Sequence, residues 1–204
     1  MSDRISVIAP TLPPIRTREV LRYMAAEKAT DEMQALLAEC IDEARDAFVC
    51  RVCFRVLDVR TDGDGVDLGF AVTESRALRK NLDGCDRAVL FAATVGLEID
   101  RLITRYSRLS PSRALCFQAL GAERIEALCD AFEEELRARY GAEGATLRPR
   151  FSPGYGDLSL ELQRDIFRAL DCPRQIGLSL NDSLLMTPTK SVTAVIGISR
   201  QTLL

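Results

Sequence analysis

Histidine does not occur anywhere in this 204-residue sequence. With it go the commonest metal ligand and the commonest general base at neutral pH. Every Ser-His or Cys-His nucleophile pair is excluded as well. No apolar run approaches the roughly 20 residues of a membrane-spanning helix. The N-terminus, Met1 to Arg4, does not lead from a basic segment into an apolar one. No secretory signal is therefore expected, and a cytoplasmic location is the default. A basic surplus is also missing: 27 lysines and arginines stand against 30 aspartates and glutamates, a net charge of −3. Nothing in that balance neutralises a phosphate backbone, so nucleic acid is not an expected partner. No internal repeat, linker or low-complexity segment is visible.

What is present belongs to an ordinary globular chain. Hydrophobic residues make up 47% and charged residues 28%, close to average usage. The length suits one domain over residues 1–204. The seven cysteines are scattered and odd in number, which speaks for reduced, buried thiols rather than a disulfide framework.

Periodicity sets the expected elements. Ile8 to Ile15 is proline-rich and reads as extended. Thr17 is a candidate cap for a short helix through Met24. Thr30 is a second, ahead of the helical spacing Met33, Leu36, Leu37, Cys40, Ile41, Ala44 and Phe48. The period then drops to two. Val52, Phe54, Val56 and Asp58 face one way, and Cys53, Arg55, Leu57 and Val59 the other. The turn Thr61-Asp62-Gly63-Asp64-Gly65 predicts a hairpin with a return strand over Val66 to Val72. Ser75 to Leu82 reads as a short helix and Ala88 to Val95 as a central strand. Glu98 to Leu109 is amphipathic. Pro111 opens a long helix whose Leu128, Phe132, Leu136 and Tyr140 share a face, and Gly141 and Gly144 stop it. A helix over about Ser159 to Leu170 and a strand over Val192 to Ile198 follow. Strands and helices do not alternate as βαβ units, so the expected class is α+β: a twisted, largely antiparallel sheet with flanking helices.

Several constellations could carry chemistry. Cys50 and Cys53 have CxxC spacing, but on a strand side chains three apart point to opposite faces. No second pair completes a zinc tetrahedron. Asp62, Asp64 and Asp67 hint at a calcium loop, yet the glycine and glutamate positions of an EF-hand hold Asp67 and Thr73. Arg137, Arg139, Arg148 and Arg150 form the one basic cluster, suited to capping carbonyls or holding a small anion. Glu126 and Asp130 share a helix face, with Glu133 and Glu134 turned away. The segment Arg148-Pro149-Arg150-Phe151-Ser152-Pro153-Gly154-Tyr155-Gly156-Asp157 combines stiffening prolines with glycines that admit close backbone approach. Arg150 supplies a planar fork for a carboxylate, and Tyr155 a flat face for an aromatic base. Such a loop could hold a small zwitterion with an attached nucleobase, or be a rigid surface turn.

The run Arg150-Phe151-Ser152-Pro153-Gly154-Tyr155 resembles the Arg-x-x-Pro-Gly-Tyr signature of the activation domain of cobalamin-dependent methionine synthase. Ile176-Gly177-Leu178, Leu180-Asn181-Asp182-Ser183, Met186-Thr187-Pro188 and Ser191-Val192-Thr193 resemble a second stretch of that family. Ala92 to Glu98 and the helix with Ala119-Leu120 and Glu126-Ala127 fall in the family's order. The resemblance runs from about Arg87 to Ser199 and is weak over the first 80 residues.

The resemblance implies a protein that binds S-adenosylmethionine against a cobalamin held by a separate methionine synthase or other corrinoid protein. There, cob(II)alamin formed by accidental oxidation is reduced by a flavodoxin-type electron donor and trapped by methyl transfer. The implied part is placement, as a component of methyltransferase activity rather than an independent enzyme, with no catalytic residue and no metal ligand. By position, Arg150 would hold the methionine carboxylate, Ser152 and Gly154 would offer backbone contacts, Tyr155 would lie near the adenosine, and Glu126 would face the cofactor cleft. Two departures from the family stand out. Leu21-Arg22-Tyr23-Met24 holds no counterpart of an aspartate the family uses toward the ligand's amino group. Gln201-Thr202-Leu203-Leu204 lacks the family's tyrosine pair. These leave a second expectation, a docking or cap protein for a corrinoid protein without methyl-donor binding. A third is a redox or metal module on Cys50 and Cys53.

Overall fold

The computed structural model describes residues 4–26, 29–61, 63 and 65–200. Elements are numbered along the chain. A five-stranded antiparallel sheet forms the middle layer, in the order β1 (Ser6–Ile8), β2 (Arg51–Asp58), β5 (Arg87–Thr94), β9 (Ser191–Arg200), β6 (Ala145–Leu147). One face carries α1 (Thr17–Tyr23), α2 (Asp31–Glu43), α4 (Glu98–Leu109) and α5 (Pro111–Gly141). The other carries α3 (Arg76–Asn81), α6 (Leu162–Leu170) and α7 (Cys172–Ile176). Two small hairpins, β3 (Val66–Asp67) with β4 (Val72–Thr73) and β7 (Ser179–Leu180) with β8 (Met186–Thr187), lie outside the sheet. The class is α+β. Among the described residues no helix is long and apolar enough to cross a membrane.

The sheet has a core on each face, and the strand sequences show why. β5 is an almost unbroken apolar run, so both its faces are buried and it takes the central place. On β2, Val52 and Phe54 enter the core under α5 while Cys53 and Leu57 enter the core under α6 and α7. Phe132 of α5 sits between Phe54 and Phe91, 5.1 Å from each ring centre, a tilted geometry that aromatic pairs favour. Leu128, Phe132, Leu136 and Tyr140 are all buried, as their four-residue spacing predicts.

α5 has 31 residues and is about 46 Å long at the helical rise. The N-terminal proline segment is strapped to it by a buried ion pair. Arg124 pairs with Glu123 and donates to the Pro13 carbonyl at 2.8 Å, and Arg16 Nε reaches Glu123 at 3.1 Å. Burial would raise the Glu123 carboxyl, but its hydrogen bonds from Arg124 and Arg16 hold it below the usual range.

Some expectations are corrected. Thr17 lies inside α1, where Arg16 is the N-cap and no side chain caps the helix. Thr30 does cap α2, its Oγ1 accepting from the Met33 amide at 3.3 Å. The return strand over Val66 to Val72 does not pair with β2, because β1 and β5 already take both of its edges. Instead the chain folds on itself at Gly69 (φ +76°), and among the described residues only an Arg60–Asp67 bridge reaches back. Asp62 and Asp64 lie outside the described residues, as do Gln201 to Leu204. α6 begins at Leu162 rather than Ser159.

Candidate functional site

The segment from Arg148 to Asp157 is anchored at several points. Arg148 N donates to the Gly197 carbonyl at 2.8 Å, and Phe151 exchanges two backbone bonds of 2.9 Å with Val195, so the chain first runs along the outer edge of β9. Asn81 of α3 donates to the Pro149 carbonyl at 3.1 Å. At the far end Asp157 accepts from Ser75 Oγ, from Arg76 N at 2.9 Å and from Ala77 N at 3.1 Å. The Ser75 hydroxyl and these amides hold its carboxyl below the ordinary aspartate range. Between the anchors the loop turns at Gly154 and Gly156, both with φ in the left-handed region. A Cβ at Gly156 would come within 2.9 Å of the Ala77 Cβ, so α3 packs where a side chain would project.

The loop, α5, the start of α6 and the start of β9 enclose a cleft of about 220 Å³. Glu126, Arg150, Ser152 and Tyr155 line it together with Gln163 and Thr193. Gly154, the remaining expected contact, does not line it. Its N–H donates to the Leu158 carbonyl at 2.8 Å, so its part is to turn the loop.

Arg150 reaches across to α5. Its guanidinium binds Glu126 at 2.6 Å and Asp130 at 3.1 Å, and also Glu133. Burial alone would lower its pKa; the bonds from Glu133 and Asp130 outweigh this and raise it. Arg150 is therefore a fixed cation. Glu133 corrects the expectation that it turns away: seven residues are almost two helical turns, which returns it to the face of Glu126 and Asp130. Glu134 does point outward, to Arg137 at 3.6 Å. Asp130 is shared, lying also 3.8 Å from Arg16. Cys129 sits behind this group, and burial pushes its thiol up to about 12, which keeps it protonated and unreactive at neutral pH.

Of the arginine cluster read from sequence, Arg137 and Arg150 meet at Glu133, while Arg139 and Arg148 go elsewhere. Arg137 pairs with Glu133 at 2.8 Å, Arg139 stacks on Tyr140, and Arg148 Nη2 donates to the Asp83 carbonyl at 2.6 Å. Cys50 and Cys53 do not meet: Cys50 packs against the core under α5 and Cys53 lies in the core under α6 and α7. Among the described residues no three His, Cys, Asp or Glu side chains are placed to hold a metal ion; the three carboxylates around Arg150 are spent on its guanidinium.

Two residues of the cleft were not anticipated. Gln163 is 6% exposed and Thr193 is 2% exposed, and among the described residues neither Gln163 Oε1 nor Thr193 Oγ1 has a hydrogen-bond partner. Buried polar atoms are nearly always partnered, so these two oxygens fit a group brought in from outside. The available signal was weak: a glutamine on the apolar side of α6 and a threonine within an apolar strand. Below them Ser191 Oγ is satisfied by Thr94 Oγ1 at 2.9 Å and the Pro188 carbonyl at 2.8 Å.

A family model for the activation domain of vitamin B12-dependent methionine synthase matches residues 14–202. The match extends the likeness read from Arg87 to Ser199 through most of the first 80 residues. Among solved structures the chain is similar to the crystal structure of the MetH reactivation domain bound to AdoHcy, with a TM-score of 0.72 at 17% identity, over 98% of this chain and 80% of that one. That likeness is one of fold. No curated protein matches the sequence.

Proposed function

This chain belongs to the activation-domain family of vitamin B12-dependent methionine synthases, and we propose that its cleft beside Arg150 holds S-adenosylmethionine for the remethylation of a cobalamin carried by a partner protein. The observation that carries this reading is the convergence of Glu126, Arg150, Ser152 and Tyr155 on one cleft. S-adenosylmethionine supplies the methyl group, and the corrinoid, reduced by a flavodoxin-type donor, receives it. The chain's own part is to bind and orient. Arg150 stays charged; its Nη2 turns from Glu126 to the ligand carboxylate while Nη1 keeps Glu133. Tyr155 is 67% exposed at the mouth and offers its ring to the adenine. Glu126, at 40% side-chain exposure, faces the positive charge of the sulfonium. No general base is needed, which suits a chain without histidine.

Size supports dividing the ligand this way. Pockets that bury a drug-sized molecule run to roughly 300–1,000 Å³, and this cleft has about 220 Å³. It takes the amino-acid end, and the nucleoside lies along its open mouth. A corrinoid-bearing partner would then cover both, making this chain a component of methyltransferase activity.

Isothermal titration with S-adenosylmethionine tests the reading. Saturable binding is expected, and Arg150→Ala should weaken it by about 1.5–3 kcal/mol, the worth of a charged hydrogen bond. Thermal melts alongside check that the variant folds. Undiminished affinity in the folded variant would remove Arg150 from the site. The absence of binding by the native protein, alone and with a cobalamin-loaded partner, would leave a docking protein without the methyl donor.

A further inference from the structure

The outer edge of β9 is covered one rung at a time. β6 pairs with it as far as Leu147–Ile198, Arg148 N bonds the Gly197 carbonyl, and Phe151 exchanges both its backbone bonds with Val195. In an antiparallel ladder the N–H and C=O of alternate residues point to the same edge. The next residue with its backbone turned to that edge is therefore Thr193. There the covering chain leaves, because it turns through Pro153 and Gly154 to reach its anchor at Asp157. On its other side Thr193 lies opposite Ala92, two residues from the Leu90–Val195 pair and so likewise a pair without ladder bonds. The ladder thus stops one rung short, at the cleft.

Three acceptors meet there: the Thr193 carbonyl on the open edge, Thr193 Oγ1, and Gln163 Oε1 from the first turn of α6. The two side-chain oxygens are buried and, among the described residues, unpartnered. An alkylammonium group has three donors and no acceptor, and so complements this set. We propose that Gln163 and Thr193 accept hydrogen bonds from the α-ammonium group of the cleft's occupant. They thereby select a ligand with a free amino-acid end over one with the nucleoside alone. This rests on the cleft holding S-adenosylmethionine. It places the ammonium on β9 and α6, and the carboxylate of the same α-carbon toward Arg150 and the open Thr193 N–H.

The two oxygens also make a prediction for the empty protein. A buried acceptor without a partner opposes folding, so removing it while keeping its shape relieves the fold. A residue kept for packing would behave the opposite way.

The test uses Thr193→Val and Gln163→Met, each near in volume, with Arg150→Ala beside them. Each protein is titrated with S-adenosylmethionine and with 5′-methylthioadenosine, which has the nucleoside and sulfur but no amino-acid end. Thr193→Val and Gln163→Met should each bind S-adenosylmethionine about tenfold more weakly, equivalent to ~1.4 kcal/mol. They should bind 5′-methylthioadenosine as the native protein does, and melt without ligand at or above the native temperature. Unchanged affinity for S-adenosylmethionine, equal loss for both ligands, or a lower melting temperature without ligand would each overturn the proposal. If only Arg150→Ala loses the ligand, the cleft assignment stands and this proposal falls. If native protein binds neither compound, the cleft assignment fails and takes the proposal with it.

Discussion

The carboxylate of Asp157 ties the loop to the first turn of α3 through Ser75 Oγ and the Arg76 and Ala77 amides. These donors favour its ionised form, so its folded pKa lies below its unfolded value near 3.9. The stabilisation is then complete above that unfolded value and is lost as pH falls through the lower folded one. Asp157→Asn should lower the melting temperature at neutral pH and flatten the acid limb of the melting curve below about pH 4. Thermal melts across the acid range would show both, and an unchanged acid limb would assign that limb to other carboxylates. At this scale the sequence was partly legible. Arg150 and Tyr155 stood out because a planar cation and a flat ring sit on a loop that prolines stiffen and glycines open to close approach. Gln163 and Thr193 did not, because a polar residue on an apolar face shows its lack of a partner only once the neighbours are placed. Gly154 was read as offering a backbone contact to the ligand, because the bond from its N–H to the Leu158 carbonyl is not visible in sequence.

Among the elements, α5 organises both the core and the cleft. Phe132 on one of its faces bridges β2 and β5 through Phe54 and Phe91. Phe132→Ala would open a cavity between helix and sheet at a fully buried position, at a cost of about 3–5 kcal/mol. Denaturant unfolding would measure it, and a cost below about 1 kcal/mol would mean that the sheet collapses onto α5. The long periodic elements, α4 and α5 above all, were legible because a heptad or more of spacing admits one period. The return strand was misread because pairing depends on which edges are free. β2's edges were filled by Ser6–Ile8 from far upstream and by Arg87–Thr94 from downstream. α7 and the β7–β8 hairpin were missed because five and two residues carry too little pattern.

Across the whole molecule, the two-faced sheet follows from β2 and β5 being apolar on both sides, a feature already visible in their sequences. Less visible was how the N-terminal strap comes to α5. It depends on Glu123, a carboxylate within a helix that reads as a solvated face until Arg124, Arg16 and two proline carbonyls are found around it. Motifs spread from Arg87 to Ser199 pointed to the family, and the family model reaches back through that strap to residue 14.

Asp130 stands between two arginines, 3.1 Å from Arg150 on the cleft side and 3.8 Å from Arg16 on the strap. A carboxylate with two claimants can pass from one to the other. An occupant that drew Arg150 off Asp130 would leave Asp130 to Arg16, and the strap would tighten on α5. Filling the cleft should then slow amide hydrogen exchange in the segment from Pro10 to Arg16, far along the chain from every residue that lines it. Mass-spectrometric exchange with and without S-adenosylmethionine would read this, and unchanged exchange there would confine the ligand's effect to the cleft. By this route the state of the cleft would be carried to a second surface of the chain.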